Sequence, residues 1–312
     1  LDHHIIDVAK RGAVLEHTPG NVSVEVQLHE VVATGYQQAV AGDVVLYVVV
    51  NDVLVEVLAL EEELGVPLLV RGNRGVRLSS DGERLEPQLR RLVSEAERLE
   101  QELALTRGVE SGLVRIGAFS SISLRCLPPI LEQFEARYPG IDIELYEGDA
   151  RELASMLASG RIDIAFMTPA GGQGFRNIKI RDDPMFAVLP KGHPRAGDRV
   201  FPISAFRGER FLVCHGLYGP DDELGRALMA EGMGKKPRFS SNFDQNIISL
   251  VEHNLGVTVM PALVLEGRDY NVAALPLSPA VSRALVMALR AEGGVSPALK
   301  RFIACAKEGL GL

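Results

Sequence analysis

The feature that most restricts the fold is a regular alternation of strand-like and helix-like segments. Leu113–Phe119 has the length and apolar content of a strand, and apolar residues from Leu124 to Phe134 then recur at helical spacing. Ile141–Leu145 alternates with acidic residues, and Ile162–Phe166 is a third strand-like run. Strands that alternate with helices pair in parallel through right-handed crossovers. The pattern therefore predicts an open α/β sheet, which binds ligands at the carboxyl ends of its strands.

The alternation continues after Thr168 and indicates a second unit of the same kind. Strand-like segments occur at Phe186–Leu189, Phe211–Cys214, Val257–Met260 and Ala284–Arg290, and helix-like segments at Asp222–Glu231, Asp244–Asn254 and Pro297–Lys307. Two similar α/β lobes, between which the chain passes more than once, predict a hinged binding module. We place the first lobe at residues 112–168 and 268–312, and the second at residues 169–267.

A leucine repeat precedes the first strand and predicts a long helix at residues 83–108. The apolar residues of this repeat are spaced alternately four and three positions apart, as in a coiled coil, and form a seam along the helix. They are Leu85, Leu89, Leu92, Ala96, Leu99 and Leu103. Ser80 and Glu83 have the spacing of a capping box, in which Ser80 caps the helix. One alternative is an amphipathic helix that packs on its own domain. The charged opposite face and the glycines that follow favour a connector helix that dimerises through its five leucines.

A short β-hairpin is predicted before this helix. Leu68–Arg71 and Val76–Leu78 have strand composition and flank a turn bounded by two glycines. Arg71, Arg74 and Arg77 lie along the hairpin. Taken alone, such a hairpin is most simply a solvated surface element with ordinary charges.

Charge and cysteine content limit the partners of the chain. Residues 1–65 contain two basic and eleven acidic side chains, a net charge of −9, whereas the whole chain carries −8. A protein of this charge has no general attraction to nucleic acid, so any contact with DNA must be local. The three cysteines are widely separated, and the sequence has neither an export leader nor an apolar run near the length of a membrane helix. We therefore expect a cytoplasmic protein without membrane contact.

The sequence offers no arrangement typical of an enzyme. It has no His, Cys, Asp and Glu cluster with metal-ligand spacing, and Ser120 and Ser121 lack the flanking glycines of a nucleophile elbow. Cys126 and Cys214 lie far apart in the sequence, which argues against a redox-sensing pair. We expect no catalytic residue, no metal and no cofactor.

From Leu60 onward the sequence resembles the LysR-type transcriptional regulators. The stretches that carry the resemblance are, in order, Leu60–Arg71, Val76–Gly82, Pro128–Leu131, Tyr138–Ile141, Gly160–Phe166, Leu189–Pro194 and Val251–Pro261. Each is weak alone, but their order and spacing over residues 60–312 make the match specific.

The resemblance implies a fold and a function. It implies an N-terminal winged helix-turn-helix domain at residues 1–82, a linker helix that pairs two subunits, and an effector domain of two lobes like those of periplasmic binding proteins. Such regulators usually act as homotetramers that bind promoter DNA and respond to a small co-inducer. On this interpretation Arg71, Arg74 and Arg77 lie on the wing, where they would contact phosphates or enter the minor groove.

The resemblance also indicates where an effector would bind. Ser120 and Ser121 follow the first strand and open a helix, where free N–H groups and hydroxyls suit a carboxylate or other small anion. Thr168, His215 and Asn242 are the further candidates, each next to a predicted strand end or helix start. The alternatives are N-capping of the helix by Ser121 or Ser123, a capping asparagine and a surface histidine.

Residues 1–58 depart from the family pattern. Where a recognition helix would present basic and amide side chains, the chain is rich in valine, and only Asn51 could contact a base. Either this segment no longer reads DNA, or the residues recorded there do not represent the native segment; the regular register from Leu60 favours the second. We assign no base-contacting residue. The alternative function is a periplasmic-type small-molecule binding module without DNA-binding activity.

Overall fold

The computed structural model describes residues 57–72, 75–106, 111–169, 174–217, 222–233 and 237–312, and the backbone of two short paired strands, β1 (Ala13–Leu15) and β2 (Val24–Val26). The side chain of Arg71 is outside this description. Most of the predicted helix-turn-helix, together with Arg74 and the side chain of Arg71, therefore lies outside the described residues. The chain divides into two compact units, Leu1–Glu100 and Gln101–Leu312.

The first unit contains the predicted hairpin. A helix, α1, covers residues 57–64 and ends at Gly65, whose φ of 69° is left-handed. Strands β3 (Leu69–Gly72) and β4 (Gly75–Leu78) follow and pair antiparallel, which confirms the hairpin. Glu61 of α1 accepts hydrogen bonds from the backbone N–H groups of Leu68 and Leu69 at 2.6 and 2.7 Å, and so fixes the start of the hairpin.

The long helix predicted after the hairpin is present as α2 (Ser80–Thr106). The predicted cap is wrong by one residue. Ser79 caps the helix, because its Oγ accepts from the N–H of Gly82 at 2.9 Å and donates to the carbonyl of Pro67 at 2.5 Å. A Cβ on Gly82 would lie 2.2 Å from the carbonyl oxygen of Leu68, so the first turn of α2 requires glycine there.

The second unit contains the remaining elements. Its helices are α3 (Ser120–Arg125), α4 (Leu127–Arg137), α5 (Ala150–Ser159), α6 (Glu223–Ala230), α7 (Asp244–Glu252), α8 (Ala262–Leu265) and α9 (Pro297–Leu310). Its strands are β5 (Gly112–Ala118), β6 (Ile141–Glu147), β7 (Ile164–Met167), β8 (Phe175–Pro190), β9 (Phe201–Pro202), β10 (Val213–Cys214), β11 (Ser240–Ser241), β12 (Thr258–Pro261), β13 (Val272–Ser278) and β14 (Ser282–Arg290).

The main sheet is mixed and not wholly parallel as predicted. Its order is β6-β5-β7-β14-β8-β13-β9, with β12 paired to β8 beside this path. Strands β5, β6 and β7 are parallel, as expected for the βαβ pattern, but β14 is antiparallel to both β7 and β8. The strand predicted at Phe186–Leu189 is only the end of β8, which has 16 residues.

Strand β8 belongs to two lobes. Its residues up to Pro184 pair with β14, whereas those from Met185 pair with β12 and β13. We call lobe I the part around β5, β6, β7, β14 and the first part of β8, with α3, α4, α5 and α9. Lobe II is the part around the second part of β8, with β9 to β13, α6 and α7.

Each lobe has its own apolar core. In lobe I, the Phe302 ring packs edge-on against Phe134 and Phe166 at centroid distances of 5.4 and 6.2 Å. In lobe II, Phe206 packs against Phe201 and Phe211 at 4.7 and 5.3 Å. Two separate cores joined by one shared strand, β8, are the arrangement that a hinged, two-lobed domain requires.

The helix predicted from Leu124 to Phe134 is two helices. It breaks at Cys126, and α4 begins with prolines at its first turn. A proline has no N–H to continue the ladder of α3, but its fixed φ suits the first turn of a new helix. Within the part of the chain that the structure describes, none of the helices is long and apolar enough to cross a membrane.

Candidate functional site

The start of α3 places two serines between the lobes. The N-cap position is Phe119, whose side chain cannot cap the helix, so the alternative of N-capping by Ser121 or Ser123 is excluded. Ser120 and Ser121 are instead the first residues of a helix of six residues. Such a short helix has little macrodipole, so the hydroxyl groups, rather than a helix field, give this position its chemistry.

A buried ion pair lies beside these serines. Arg283 on β14 and Asp183 on β8 are direct neighbours across the antiparallel strands. The Nε and Nη2 atoms of Arg283 lie 3.0 and 2.9 Å from Oδ2 of Asp183. The two side chains are 11% and 1% exposed. Burial lowers the pKa of the Arg283 guanidinium from its ordinary value, and the charge of Asp183 opposes this shift.

The ion pair connects several elements. Nη2 of Arg283 donates to Oγ of Ser121 at 3.0 Å, and its guanidinium lies 5.4 Å from the ring centre of Phe119. Oδ1 of Asp183 accepts from the backbone N–H of Leu263 on α8 at 3.0 Å. The pair therefore holds α3 and α8 against strands β8 and β14.

A second contact crosses from lobe I to lobe II. The Oγ atom of Ser120 lies 3.5 Å from Oδ2 of Asp244, which is the first residue of α7. Oδ1 of Asp244 accepts from the N–H of Gln245 at 2.8 Å. We call Ser120, Ser121, Asp183, Asp244 and Arg283 the interlobe cluster. It combines two hydroxyl groups, two carboxylates and one guanidinium.

The other predicted effector residues form none of the hydrogen bonds described for this cluster. Thr168 follows β7 and is half-buried. His215 is exposed after β10, and its backbone N–H donates to the carbonyl of Ser241 at 2.9 Å. Asn242 is exposed two residues before α7. The structure thus unites Ser120 and Ser121 in one network and leaves Thr168, His215 and Asn242 at neighbouring strand and helix ends.

The lobes also approach each other at Asp149 and Gly216. Asp149 caps α5 in lobe I, where its Oδ1 accepts from the N–H groups of Arg151 and Glu152. Gly216 follows β10 in lobe II and has a φ of 77°. A Cβ at position 216 would lie 2.8 Å from the Cβ of Asp149. The absence of a side chain at Gly216 therefore allows the lobes to be this close.

Sequence reasoning missed the charged members of the cluster. Asp183 follows another aspartate in a segment rich in charged residues, which is typical of a solvated segment. Arg283 stands at the start of a strand-like run, where a cation is usually exposed. The sequence clue to a charged member of the cluster was Asp244, which stands at a predicted helix start close to the candidate Asn242.

The cysteine side chains are protected rather than activated. Burial, reinforced by the charge of Asp244, raises the pKa of the Cys214 thiol to about 12. Burial also raises the pKa of Cys126 and of Cys305. Since a thiolate is the reactive form, these environments suppress thiol chemistry.

We expect Cys214 and Cys305 of the native protein to resist iodoacetamide at neutral pH, and Cys126, which is half-buried, to react slowly. The same thiols should react fully in urea, and mass spectrometry after tryptic digestion would measure each site. Equal labelling of native and unfolded protein at Cys214 would contradict this.

Because the folded pKa of Cys214 is about 12 against an ordinary 9.0, its contribution to the free energy of unfolding is complete below about pH 9 and declines between about pH 9 and about pH 12.

The predicted wing and seam residues are placed as follows. Arg77 is exposed on β4. Leu92, Leu99 and Leu103 of α2 are 56%, 58% and 50% exposed. The remaining seam leucines, Leu85 and Leu89, are half-buried. A row of leucines with half of their surface in water is unusual for a helix that packs only on its own molecule.

Comparisons with known proteins agree with this architecture. A sequence model described as the LysR substrate binding domain matches residues 107–311. The chain is 28% identical over 257 residues to YvbU, an uncharacterized HTH-type transcriptional regulator of Bacillus subtilis, covering 81% of this chain and 87% of that protein. It is 31% identical over 224 residues to the HTH-type transcriptional regulator TtuA of Agrobacterium vitis, covering 70% and 73%.

The structure resembles that of a full-length OxyR variant from Pseudomonas aeruginosa. The two superpose with a TM-score of 0.66 at 21% identity, covering 84% of this chain and 85% of the other. The structural similarity shows that the two proteins share a fold, whereas the sequence matches show that the chain is related to these regulators. Together with the order of the motifs, they identify the chain as a member of the family of LysR-type transcriptional regulators.

Proposed function

We propose that this regulator binds promoter DNA through its N-terminal domain and that a small-molecule effector between lobes I and II modulates that binding. The observation that carries the proposal is the interlobe cluster. Ser120 of lobe I contacts Asp244 of lobe II, and the buried ion pair of Arg283 and Asp183 lies next to this contact. A ligand that replaces the contact between Ser120 and Asp244 would change the angle between the lobes.

The distance between Ser120 and Asp244 supports a contact that a ligand could replace. At 3.5 Å it is at the upper limit of a hydrogen bond, and such a bond adds little net stability. By contrast, strand β8 runs continuously through both lobes and ties them together covalently. The continuous strand β8 can therefore act as the hinge, and the weak contact between Ser120 and Asp244 can open and close.

The exposed leucines of α2 support a homodimer paired through this helix, and we propose that two such dimers form a tetramer on DNA. A dimer would cover the three leucines that the single chain leaves half in water. Arg71, Arg74 and Arg77 would contact the sugar-phosphate backbone from the wing. A protein that acts on promoters would work in the cytoplasm.

The central test is a binding titration with DNA from upstream of the protein's own gene. The full-length chain, with its intact mass and N-terminal sequence verified, is titrated into labelled duplex with and without candidate small carboxylates. We expect DNA binding at low salt and a shift of the apparent dissociation constant when the correct ligand is present. No binding under any of these conditions would favour the periplasmic-type binding module instead.

Ser120→Ala tests the role of the cleft. It removes the hydroxyl group that faces Asp244 but leaves the buried ion pair intact. We expect the effector concentration at half-response to rise about 5- to 10-fold, which is the effect of one hydrogen bond. Ser159→Ala, which removes a hydroxyl that donates to Met156 at the end of α5, is the matched control and should leave the response unchanged.

Gly216→Ala tests lobe closure. The new Cβ would lie 2.8 Å from the Cβ of Asp149 and would occupy a left-handed backbone conformation. We expect a loss of about 1–2 kcal/mol in the free energy of unfolding and a more open domain, measured by urea denaturation and small-angle scattering. Gly192→Ala is the control, since a Cβ there would meet no atom within 4 Å. Identical scattering curves and stabilities for the two variants would contradict the proposed contact.

A further inference from the structure

A small cavity lies beside the interlobe cluster, between α3, α7 and α8. Ser121 and Asp244 belong both to its lining and to the cluster. In this structure it has room for about one water molecule. Leu124 lies at its edge with 49% of its surface exposed, so the cavity is close to solvent on that side.

The cavity lining includes Arg125, one of whose guanidinium nitrogens has no acceptor among the described residues. The Nη2 atom of Arg125 is buried, and no hydrogen-bond acceptor among the described residues reaches it. A buried guanidinium nitrogen without an acceptor is costly, and such groups call for an ion or a water. The Nη2 atom of Arg125 is therefore available to donate a hydrogen bond to a bound ion or ligand.

The chain makes space for this guanidinium. Gly267 has a φ of 63°, and a Cβ there would lie 2.8 Å from Nη1 of Arg125. Any larger residue at position 267 would push the guanidinium from its position. The loop after α8 thus accommodates Arg125 at the cavity, although no protein carboxylate pairs with it within the described part of the chain.

The charges around the cavity favour an anion. Arg125 and Arg268 supply two positive charges to its lining, and Asp244 supplies one negative charge. The Asp244 carboxylate is partly occupied, since its Oδ1 accepts from Gln245 and its Oδ2 faces Ser120. Tyr270 adds a phenolic hydroxyl that can donate to an anion. The net charge of these lining groups is +1.

We infer that Arg125 and Arg268 form a carboxylate-binding subsite, and that the effector of this regulator carries a carboxylate that binds there. One oxygen atom of a carboxylate fits a space the size of a water molecule, and the rest of the group would lie toward the exposed side. A guanidinium is a strong partner for that oxygen, because a charge-assisted hydrogen bond from its N–H donor is shorter and stronger than a neutral one. The inference rests on the proposed effector function only for the identity of the ligand.

Acetate is the probe, and Arg125→Met is the diagnostic variant. Methionine keeps an unbranched apolar stem but removes the charge and the donors. The thermal midpoint of the full-length protein is measured against sodium acetate, with sodium chloride at equal ionic strength as the reference. We expect acetate to raise the wild-type midpoint by roughly 2–4 °C at several times its dissociation constant, and not to raise that of Arg125→Met.

A second readout separates binding from a structural role of the arginine. Without acetate, Arg125→Met should be at least as stable as the wild type, because the uncompensated nitrogen is gone. Arg199→Met, at an exposed loop arginine of lobe II, should behave as the wild type throughout. A crossover of the wild-type and Arg125→Met stabilities as acetate increases would be the signature of the site.

Three results would overturn the inference: equal stabilisation by acetate and chloride, an acetate effect that survives Arg125→Met, and loss of stability in Arg125→Met before any acetate is added. None of these measurements involves DNA. Failure of the DNA titration with an intact acetate response would therefore refute the proposed regulation and leave the subsite, whereas the reverse result would refute the subsite alone.

Discussion

Asp183→Ala should lower the free energy of unfolding by about 3–5 kcal/mol, which is roughly 6–20 °C in the thermal midpoint. The substitution leaves the buried Arg283 guanidinium without its partner, and it removes the acceptor for the N–H of Leu263. An isolated buried charge is far more costly than the pair is stabilising. Urea denaturation followed by circular dichroism would measure the change.

The neighbouring residue provides a matched control. Asp182 pairs with Lys179 at 2.7 Å, but both side chains are more than half exposed. Asp182→Ala should therefore change the free energy of unfolding by less than about 1 kcal/mol. The double variant Asp183→Leu with Arg283→Met should recover most of the loss, because it removes both buried charges. If Asp183→Ala were as mild as its control, the pair would not be the buried connection described above.

If the proposed homodimer pairs through α2, replacing Leu92, Leu99 and Leu103 with serine should weaken it by at least about 1000-fold. These leucines are half exposed among the described residues, and a partner subunit in the proposed dimer would bury the rest of them. Burying a leucine contributes about 1.5–3 kcal/mol, and each substitution acts twice in a symmetric dimer. Analytical ultracentrifugation over a range of concentrations would measure the dissociation constant.

Arg91→Ser is the control for the seam. Arg91 is exposed on α2 but lies outside the leucine repeat. Its replacement should leave the dimer intact, and helical content should be similar in both variants. A triple variant that remains dimeric at nanomolar concentration would refute pairing through this seam.

The parts of the fold that the sequence predicts well are those where periodicity and stop signals coincide. Strands β5, β6 and β7 lie where the apolar patterns place them, and Gly160 ends α5 with a φ of 81° as expected. In each case a local rule, either side-chain alternation or the left-handed freedom of glycine, agrees with the tertiary packing. Local rules suffice for such elements.

Strand β8 shows where local rules fail. Its first half contains three basic residues and two adjacent aspartates together with isoleucines and an asparagine, a composition that suggests a surface loop. The strand exists because β14 pairs along it from a position about a hundred residues later in the chain. The same pairing creates the contact between Asp183 and Arg283, which no periodicity could indicate. The candidate site was therefore located from Ser120 and Ser121, but its charged members depend on a long-range register.

Because one continuous strand serves both halves of the effector domain, neither half is a transferable module. A cut anywhere within Phe175–Pro190 would deprive one sheet of its central pairing, so limited proteolysis or gene truncation should yield no separately folding half. Chimeric regulators that exchange ligand preference between relatives would have to replace the whole of residues 112–312, or else graft individual side chains.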